Sequence, residues 1–177
     1  MSSRKLLSFP AVRVEFDPAE ITALAARFPE GDESSVAALG AAAALRGYYT
    51  RGEFLALCEW KSPRSRPLVA ENSRGAVARA TRRALSAAAE RDRIEGLLGL
   101  RGVGFPTASV LLHFADPAAY PILDVRAVES LGETRSAYTI PFWLDYLATC
   151  RALARENGVS LRTLDKALWQ HSRERVR

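Results

Sequence analysis

The chain has 177 residues, of which 48% are hydrophobic and 25% charged, values typical of one globular domain or two small lobes. Its apolar runs fall short of the roughly 20 residues that a transmembrane helix needs, so a membrane-spanning protein is not expected. The net charge is +5, and two cysteines are too few for a disulfide framework, which favours a reducing cytoplasm.

Capping patterns predict four helices in the first half of the chain, over about residues 17–28, 32–46, 50–60 and 73–88. Thr50 and Glu53 form a capping box, and Gly47 is typical of the end of the helix before it. Pro63 and Pro67 interrupt any helix between them, so residues 62–67 are predicted to form a loop.

Further helices are predicted over about residues 90–98, 108–114, 125–131, 141–157 and from 160 onwards. Trp143, Tyr146, Leu147 and Cys150 follow the i, i+3, i+4, i+7 spacing of a buried helix face. Alanine, leucine and arginine dominate the composition, and alternation of β-branched residues is scarce. The sequence therefore predicts an all-α fold.

The basic charge is concentrated in residues 61–83, which contain seven Lys or Arg residues and one Glu, a local charge of +6. The rest of the chain sums to −1. Such a concentration is typical of a surface that binds phosphate groups, and a solvated helix face is the alternative. Arg79, Arg82 and Arg83 are the candidate phosphate contacts within this segment.

A glycine-containing turn between two predicted helices is the most informative motif. Gly102 and Gly104 permit positive φ, and Pro106 suits the first turn of the following helix. Such a turn directs backbone N–H groups and a helix N-terminus toward one point, as phosphate binding requires. Asp124 follows in Pro-Ile-Leu-Asp and is predicted to be the N-cap of the helix over residues 125–131.

This pairing resembles the helix-hairpin-helix DNA glycosylase superfamily, and Pro-Ile-Leu-Asp is similar to the adenine-glycosylase-like members. The resemblance covers about residues 95–131, and Asp124 lies at the family's spacing from the hairpin. The positions that fit the hairpin pattern are Leu100, Gly102, Val103, Gly104, Thr107 and Ala108.

The resemblance implies a two-lobed helical bundle. One lobe would span residues 30–116, with the hairpin motif at about 90–114, and the other would combine residues 1–29 with 117–177. Asp124 would lie in the cleft between the lobes, where an extruded nucleotide enters. Its carboxylate would stabilise the positive charge that develops on the sugar and orient a water for attack. An ordinary N-cap aspartate is the alternative interpretation.

Two departures from the family pattern matter. Pro106 stands where the bifunctional members of the family have their lyase lysine. Proline has no amine that could form an imine, so the chain resembles the monofunctional, water-using members. Cys58 and Cys150 are too few for the family's four-cysteine iron–sulfur cluster. Lys61 could in principle be a lyase nucleophile, but a surface phosphate contact is the preferred interpretation.

The hairpin residues Gly102, Val103, Gly104 and Thr107 are expected to contact the DNA backbone, with a monovalent cation at the hairpin carbonyls as the one implied ligand. His113 and His171 lack metal-ligand spacing, and no metal site is expected. The base pocket needs aromatic walls, although a core position is the preferred interpretation for each candidate taken by itself. These candidates are Tyr48, Tyr49, Phe54, Trp60, Phe142 and Trp143.

The sequence thus predicts a monomeric, cytoplasmic, nucleoid-associated DNA glycosylase that acts on double-stranded DNA. Two alternatives remain open, namely a non-catalytic protein that binds bent or branched DNA and a degenerate member that only contacts other proteins. Glu53, Glu59 and Glu71 could each protonate a leaving base, and the sequence does not choose among them.

Overall fold

The computed structural model describes residues 14–29, 31–134 and 137–175, and all regular structure in these ranges is helical. Residues 1–13 of the predicted second lobe lie outside them. The all-α prediction is confirmed for the described part of the chain. Two short 3₁₀ helices cover Pro18–Glu20 and Pro63–Ser65. The α-helices are α1 (Ile21–Ala26), α2 (Ser34–Arg46), α3 (Arg51–Lys61), α4 (Arg66–Val69), α5 (Arg74–Ser86), α6 (Glu90–Leu98), α7 (Phe105–Ala115), α8 (Val125–Glu129), α9 (Ile140–Glu156) and α10 (Leu161–Arg175).

Local capping determines several helix ends as the sequence predicts. Thr50 caps α3, accepting from the N–H of Glu53, whose side chain accepts in turn from the N–H of Thr50. Gly47 ends α2 with φ of 83°, a left-handed conformation that glycine adopts without steric cost. Ser73 caps α5 by accepting a hydrogen bond from the N–H of Ala76.

The predicted loop at residues 62–67 is wrong, because this segment is largely helical. Pro63 lies in the first turn of a 3₁₀ helix and Pro67 in the first turn of α4. A first-turn proline loses no intrahelical hydrogen bond, so both residues are tolerated there. The segment is a pair of short helices that follows α3 directly.

Helix α7 lies at the centre of the fold, and its residues from Thr107 to Phe114 are all buried. A helix that is apolar around its whole circumference is typical of such a position. Helices α2 and α3 pack against it. Gly40 of α2 lies so close that a Cβ there would come within 2.1 Å of the Phe114 carbonyl oxygen. The α2–α7 contact therefore requires glycine at this position.

The remaining helices contact one another in two groups. Helices α2 to α7 form one group, while α10 packs against α1, α8 and α9, and α6 contacts α9 between the groups. A single hydrophobic core includes residues of both groups. The division into two lobes stays a prediction. In the described ranges, no helix is long and apolar enough to cross a membrane.

Candidate active site

Asp124 occupies the N-cap of α8, as the sequence predicts. Its backbone is extended, and its Oδ1 accepts a hydrogen bond of 3.0 Å from the N–H of Arg126. The second carboxylate oxygen is not needed for capping, so it is available to another partner.

The two residues before this N-cap are held by side chains from three helices. The N–H of Ile122 donates to Oδ2 of Asp165 at 2.8 Å, and its carbonyl accepts from the Tyr146 hydroxyl at 2.9 Å. The N–H of Leu123 donates to Oγ of Ser109 at 2.8 Å. These bonds link the segment to α10, α9 and α7 respectively, and together they fix the position of the carboxylate that follows.

Lys61, the last residue of α3, pairs with this carboxylate. Its Nζ lies 2.9 Å from Asp124 Oδ2, and the two side chains are 14% and 27% exposed. The sequence favoured a surface phosphate contact for Lys61, and the structure instead places its amine beside Asp124. Both side chains are partly withdrawn from solvent, so salt screens their attraction less than it screens a surface ion pair.

A pocket of about 250 Å³ surrounds the Lys61–Asp124 pair. It is smaller than the roughly 300–1,000 Å³ of sites for drug-sized ligands, so it suits a single planar ring system. Trp169 packs edge-on against Phe28 with ring centroids 5.0 Å apart, and both line the pocket. Its lining residues are Phe28, Pro29, Gly31, Glu33, Trp60, Lys61, Ile122, Asp124, Ala127, Arg162, Asp165 and Trp169.

Of the aromatic candidates from the sequence, only Trp60 lines this pocket. Tyr48 lies partly exposed elsewhere, with the guanidinium of Arg82 4.4 Å from its ring centroid. The predicted pocket role is wrong for the others because they are core residues, as the alternative interpretation held. These buried aromatics are Tyr49, Phe54, Phe142 and Trp143.

An ion pair between Glu33 and Arg162 forms a further polar part of the pocket. Burial acts to raise the pKa of Glu33, but the hydrogen bond and charge of Arg162 outweigh it and hold that pKa below its ordinary value. Glu33 is therefore an anion near neutral pH. The carboxyl group of Asp165 behaves in the opposite way, since burial raises its pKa to about 8.

The glycine turn joins α6 to α7. Gly102 has φ of 74°, as the motif predicts, whereas Gly104 is extended with φ of −99°. The N–H of Val103 donates to the Leu100 carbonyl at 3.2 Å, and the Thr107 side chain is buried. The Val103 N–H and the Thr107 side chain are therefore engaged within the protein, and phosphate contacts by these two residues stay a prediction. The N–H groups of Gly102 and Gly104 have no acceptor within the described residues.

Asn72, which lies just before α5, holds the glycine turn in place. Its side chain donates to the Arg101 carbonyl and accepts from the Arg101 N–H, each at 2.9 Å. A Cβ at Gly102 would lie 2.8 Å from Leu68 Cβ and 2.9 Å from the backbone nitrogen of Val69. The glycine turn and the residues that precede α5 thus form one tightly packed unit.

Arg79, Arg82 and Arg83 are all exposed on α5. In the described ranges, no ion pair joins any of them to an acidic residue. Since no carboxylate neutralises them, their charges are available to an anionic partner.

The other ionisable residues that the sequence suggested for a catalytic role lie outside the pocket. Glu53, Glu59 and Glu71 pair with Arg46, Arg66 and Arg101, and none of the three lines the pocket. Both cysteines are buried free thiols, and burial raises the pKa of Cys58 to about 12. The described residues contain no group of three or more His, Cys, Asp or Glu side chains that could hold a metal ion.

Sequence reasoning did not identify Phe28, Arg162, Asp165 or Trp169 as pocket residues. Only Asp165 had a local signal, because a carboxylate between Leu164 and Leu168 lies on the apolar face of α10. No protein-family model, curated protein or solved structure matches the chain.

Proposed function

We propose that this chain is a DNA N-glycosylase with Lys61 and Asp124 as its reactive pair. The observation that carries the proposal is the 2.9 Å contact between an amine and a carboxylate inside an aromatic-walled pocket. Excision of a base requires extrusion of the nucleotide into a pocket that accepts a planar ring. Trp60 and Trp169 line the same pocket as the reactive groups and supply such walls.

The pairing favours Lys61 over water as the nucleophile. A carboxylate that is neutralised by an ammonium group 2.9 Å away stabilises a cationic sugar less than a free carboxylate does. The same pair is suited to proton transfer from Lys61 Nζ to Asp124, which frees the amine. The amine then bonds to the sugar C1′ carbon, and the base departs with the electron pair of the N-glycosidic bond and takes the proton held by Asp124. Asp124 next removes a proton from the new secondary ammonium and delivers it to the ring oxygen as the C1′–O4′ bond breaks, which leaves a protonated imine on Lys61.

The glycine turn and α5 would bind the DNA backbone. The free N–H groups of Gly102 and Gly104 lie at the N-terminus of α7, where the helix dipole favours an anion. Arg79, Arg82 and Arg83 provide cationic charge that no described carboxylate neutralises. In the proposed arrangement, a helix-hairpin-helix motif in one lobe holds the duplex and the cleft toward the second lobe receives the base.

A non-catalytic DNA-binding protein is the second candidate, and the same ion pair favours it. A free Asp124 would repel phosphates, whereas the paired one carries little net charge with Lys61. Such a protein would use the glycine turn and α5 for binding and would leave every base in place.

Excision assays on a panel of duplexes distinguish the two candidates. Each duplex carries one uracil, hypoxanthine, 8-oxoguanine or 3-methyladenine, and alkali converts every abasic product to a cleaved strand. We expect the wild type to excise at least one of these bases and Asp124→Asn to lose that activity. Glu95→Gln, which breaks the exposed Arg91–Glu95 pair, is the control and should stay active. If the protein binds every duplex in a salt-sensitive way but excises no base, the proposal of an enzyme is wrong and a non-catalytic DNA-binding protein is favoured.

A further inference from the structure

Asp165 of α10 lines the pocket with only 3% of its surface exposed. Its Oδ2 accepts the 2.8 Å hydrogen bond from Ile122, while its Oδ1 is buried without a partner in the described ranges. A buried polar atom without a hydrogen bond is destabilising and uncommon in native proteins. Because the Asp165 side chain lines the pocket, its unpaired oxygen is suited to a partner that the free protein lacks.

Several charged and titratable groups interact electrostatically with Asp165. They are Arg162 on α10, Lys61 at the end of α3 and Asp124 at the start of α8. Tyr146 and Cys150 of α9 also face it, and burial keeps both neutral by raising their pKa values well above ordinary. Burial has the largest effect on Asp165 and outweighs the two cations, so its pKa rises to about 8.

The hydrogen bond from Ile122 determines which oxygen carries the proton. Oδ2 is an acceptor for the Ile122 N–H, so the proton of a neutral carboxyl group belongs on Oδ1. Oδ1 is then a hydroxyl donor with no acceptor in the described part of the protein. A carboxylic acid that an apolar site keeps neutral is an effective hydrogen-bond donor.

We propose that Asp165 is the residue that reads the extruded base, by donating a hydrogen bond from its Oδ1 hydroxyl to an acceptor atom on the base. The inference rests on the proposed function and extends it to substrate choice. The accepted bases are those that present a carbonyl oxygen or an unprotonated ring nitrogen at this position. A base with an N–H group there is rejected, because two donors would face each other in a buried site.

If Asp165 had only a structural role, that role would be to accept the hydrogen bond from the Ile122 N–H. Asp165→Asn separates the roles, because its carbonyl can still accept from Ile122 while its NH₂ group donates to the base at any pH. Asp165→Ala removes both bonds. Titration of the Asp165 carboxyl carbon by ¹³C NMR in the wild type, assigned by comparison with Asp165→Asn, measures the proton without reference to activity.

The kinetic experiment compares kcat/KM for the wild type, Asp165→Asn and Asp165→Ala across pH, on the duplex that the excision panel identifies. We expect Asp165→Ala, which removes both hydrogen bonds, to lose at least about 10- to 100-fold, the effect of a single buried group left unpaired. The ratio of wild-type to Asp165→Asn activity should fall as pH rises through about 8, where Asp165 loses its proton.

Two results would overturn the inference while excision itself persists. One is a carboxyl titration near the ordinary value of 3.8. The other is an activity ratio that does not change with pH. If the wild type excises no base from the panel, the proposed function fails and base reading fails with it, whatever the NMR titration gives.

Discussion

Ser109 accepts a 2.8 Å hydrogen bond from the N–H of Leu123, and this bond joins the helix after the glycine turn to the residue before Asp124. The Ser109 hydroxyl donates in turn to the Pro106 carbonyl at 2.7 Å. Two hydrogen bonds therefore connect the first turn of α7 to the residue before Asp124. In the proposed enzyme, these bonds would couple backbone binding at the turn to the position of Asp124.

Ser109→Ala should lower excision more than it lowers DNA binding. The substitution leaves the buried N–H of Leu123 without an acceptor, at a cost of about 1–3 kcal/mol, and loosens the segment that carries Asp124. We expect kcat to fall while the dissociation constant for DNA changes little, as measured by single-turnover kinetics and fluorescence anisotropy. Ser86→Ala, which removes an exposed serine hydroxyl on α5, is the matched control. Equal losses in binding and kcat would contradict the positioning role.

Borohydride should trap a covalent complex between the wild type and a duplex that it excises, because Lys61 would form an imine with the sugar. Lys61→Ala and Lys61→Arg should give no adduct, since alanine has no amine and the arginine guanidinium is effectively always protonated. Denaturing gel electrophoresis measures the adduct, and Lys166→Ala is the control, because Lys166 is the other lysine of the described residues and its Nζ lies 5.6 Å from the ring centroid of the pocket residue Phe28. Abasic product that forms without any trapped adduct would restore water as the nucleophile, as Pro106 suggests from the sequence.

Asp124→Asn should separate chemistry from binding. Asparagine keeps the N-capping oxygen for the Arg126 N–H, so α8 should remain folded. Loss of the proton acceptor costs about 10²- to 10⁴-fold in rate. DNA affinity should hold or rise, because Lys61 is then a cation without its carboxylate partner. Parallel measurement of excision and affinity on one duplex checks this, and full activity in Asp124→Asn would exclude Asp124 from the reaction.

DNA binding should depend steeply on salt and weakly on sequence. The logarithm of the binding constant should fall with the logarithm of salt concentration, with a slope of about −0.9 per phosphate contacted. The combined substitutions Arg79→Glu, Arg82→Glu and Arg83→Glu should weaken binding to all duplexes alike and make this slope less steep. Arg155→Glu, on the exposed side of α9, is the control and should leave the slope unchanged. Binding that ignores salt would argue against both DNA-related functions.

The helices were predictable where the signal is local. The capping box at Thr50 and Glu53 and the left-handed Gly47 involve residues within a few positions of one another. The short helices that contain Pro63 and Pro67 were not predictable. Proline disrupts a helix interior but is tolerated in a first turn, so its effect depends on where the helix begins, which the local sequence does not show.

The site was predictable only in part, because its residues come from distant parts of the chain. Asp124 was identified by its spacing from the glycine turn, yet its partner Lys61 lies 63 positions earlier. Trp143 has the spacing of a buried face and is indeed buried, so an aromatic residue by itself does not distinguish a core from a pocket wall. Asp165 interrupts an apolar face of α10, which is a sequence signal for a buried carboxyl group that tertiary contacts then explain.

The stability of the folded protein should depend on pH through Asp165. Burial raises its pKa from an ordinary value of 3.8 to about 8 in the folded state. Below a pH of about 4 the carboxyl group is protonated in both states, and its contribution to folding is fully present. As pH rises, the unfolded chain releases the proton first, so this contribution falls progressively and is lost once pH passes about 8.

Asp165→Asn removes this dependence, because an amide does not titrate over the range. Urea unfolding of both proteins across pH gives the free energy of unfolding of each, and we expect the wild type to lose stability relative to Asp165→Asn as pH rises from about 4 to about 8. His113 is buried with a lowered pKa and acts in the opposite direction below neutral pH, but it is common to both proteins. Two parallel stability curves would mean that Asp165 is already ionised in the folded protein, and a carboxylate at Oδ1 could not donate to a base.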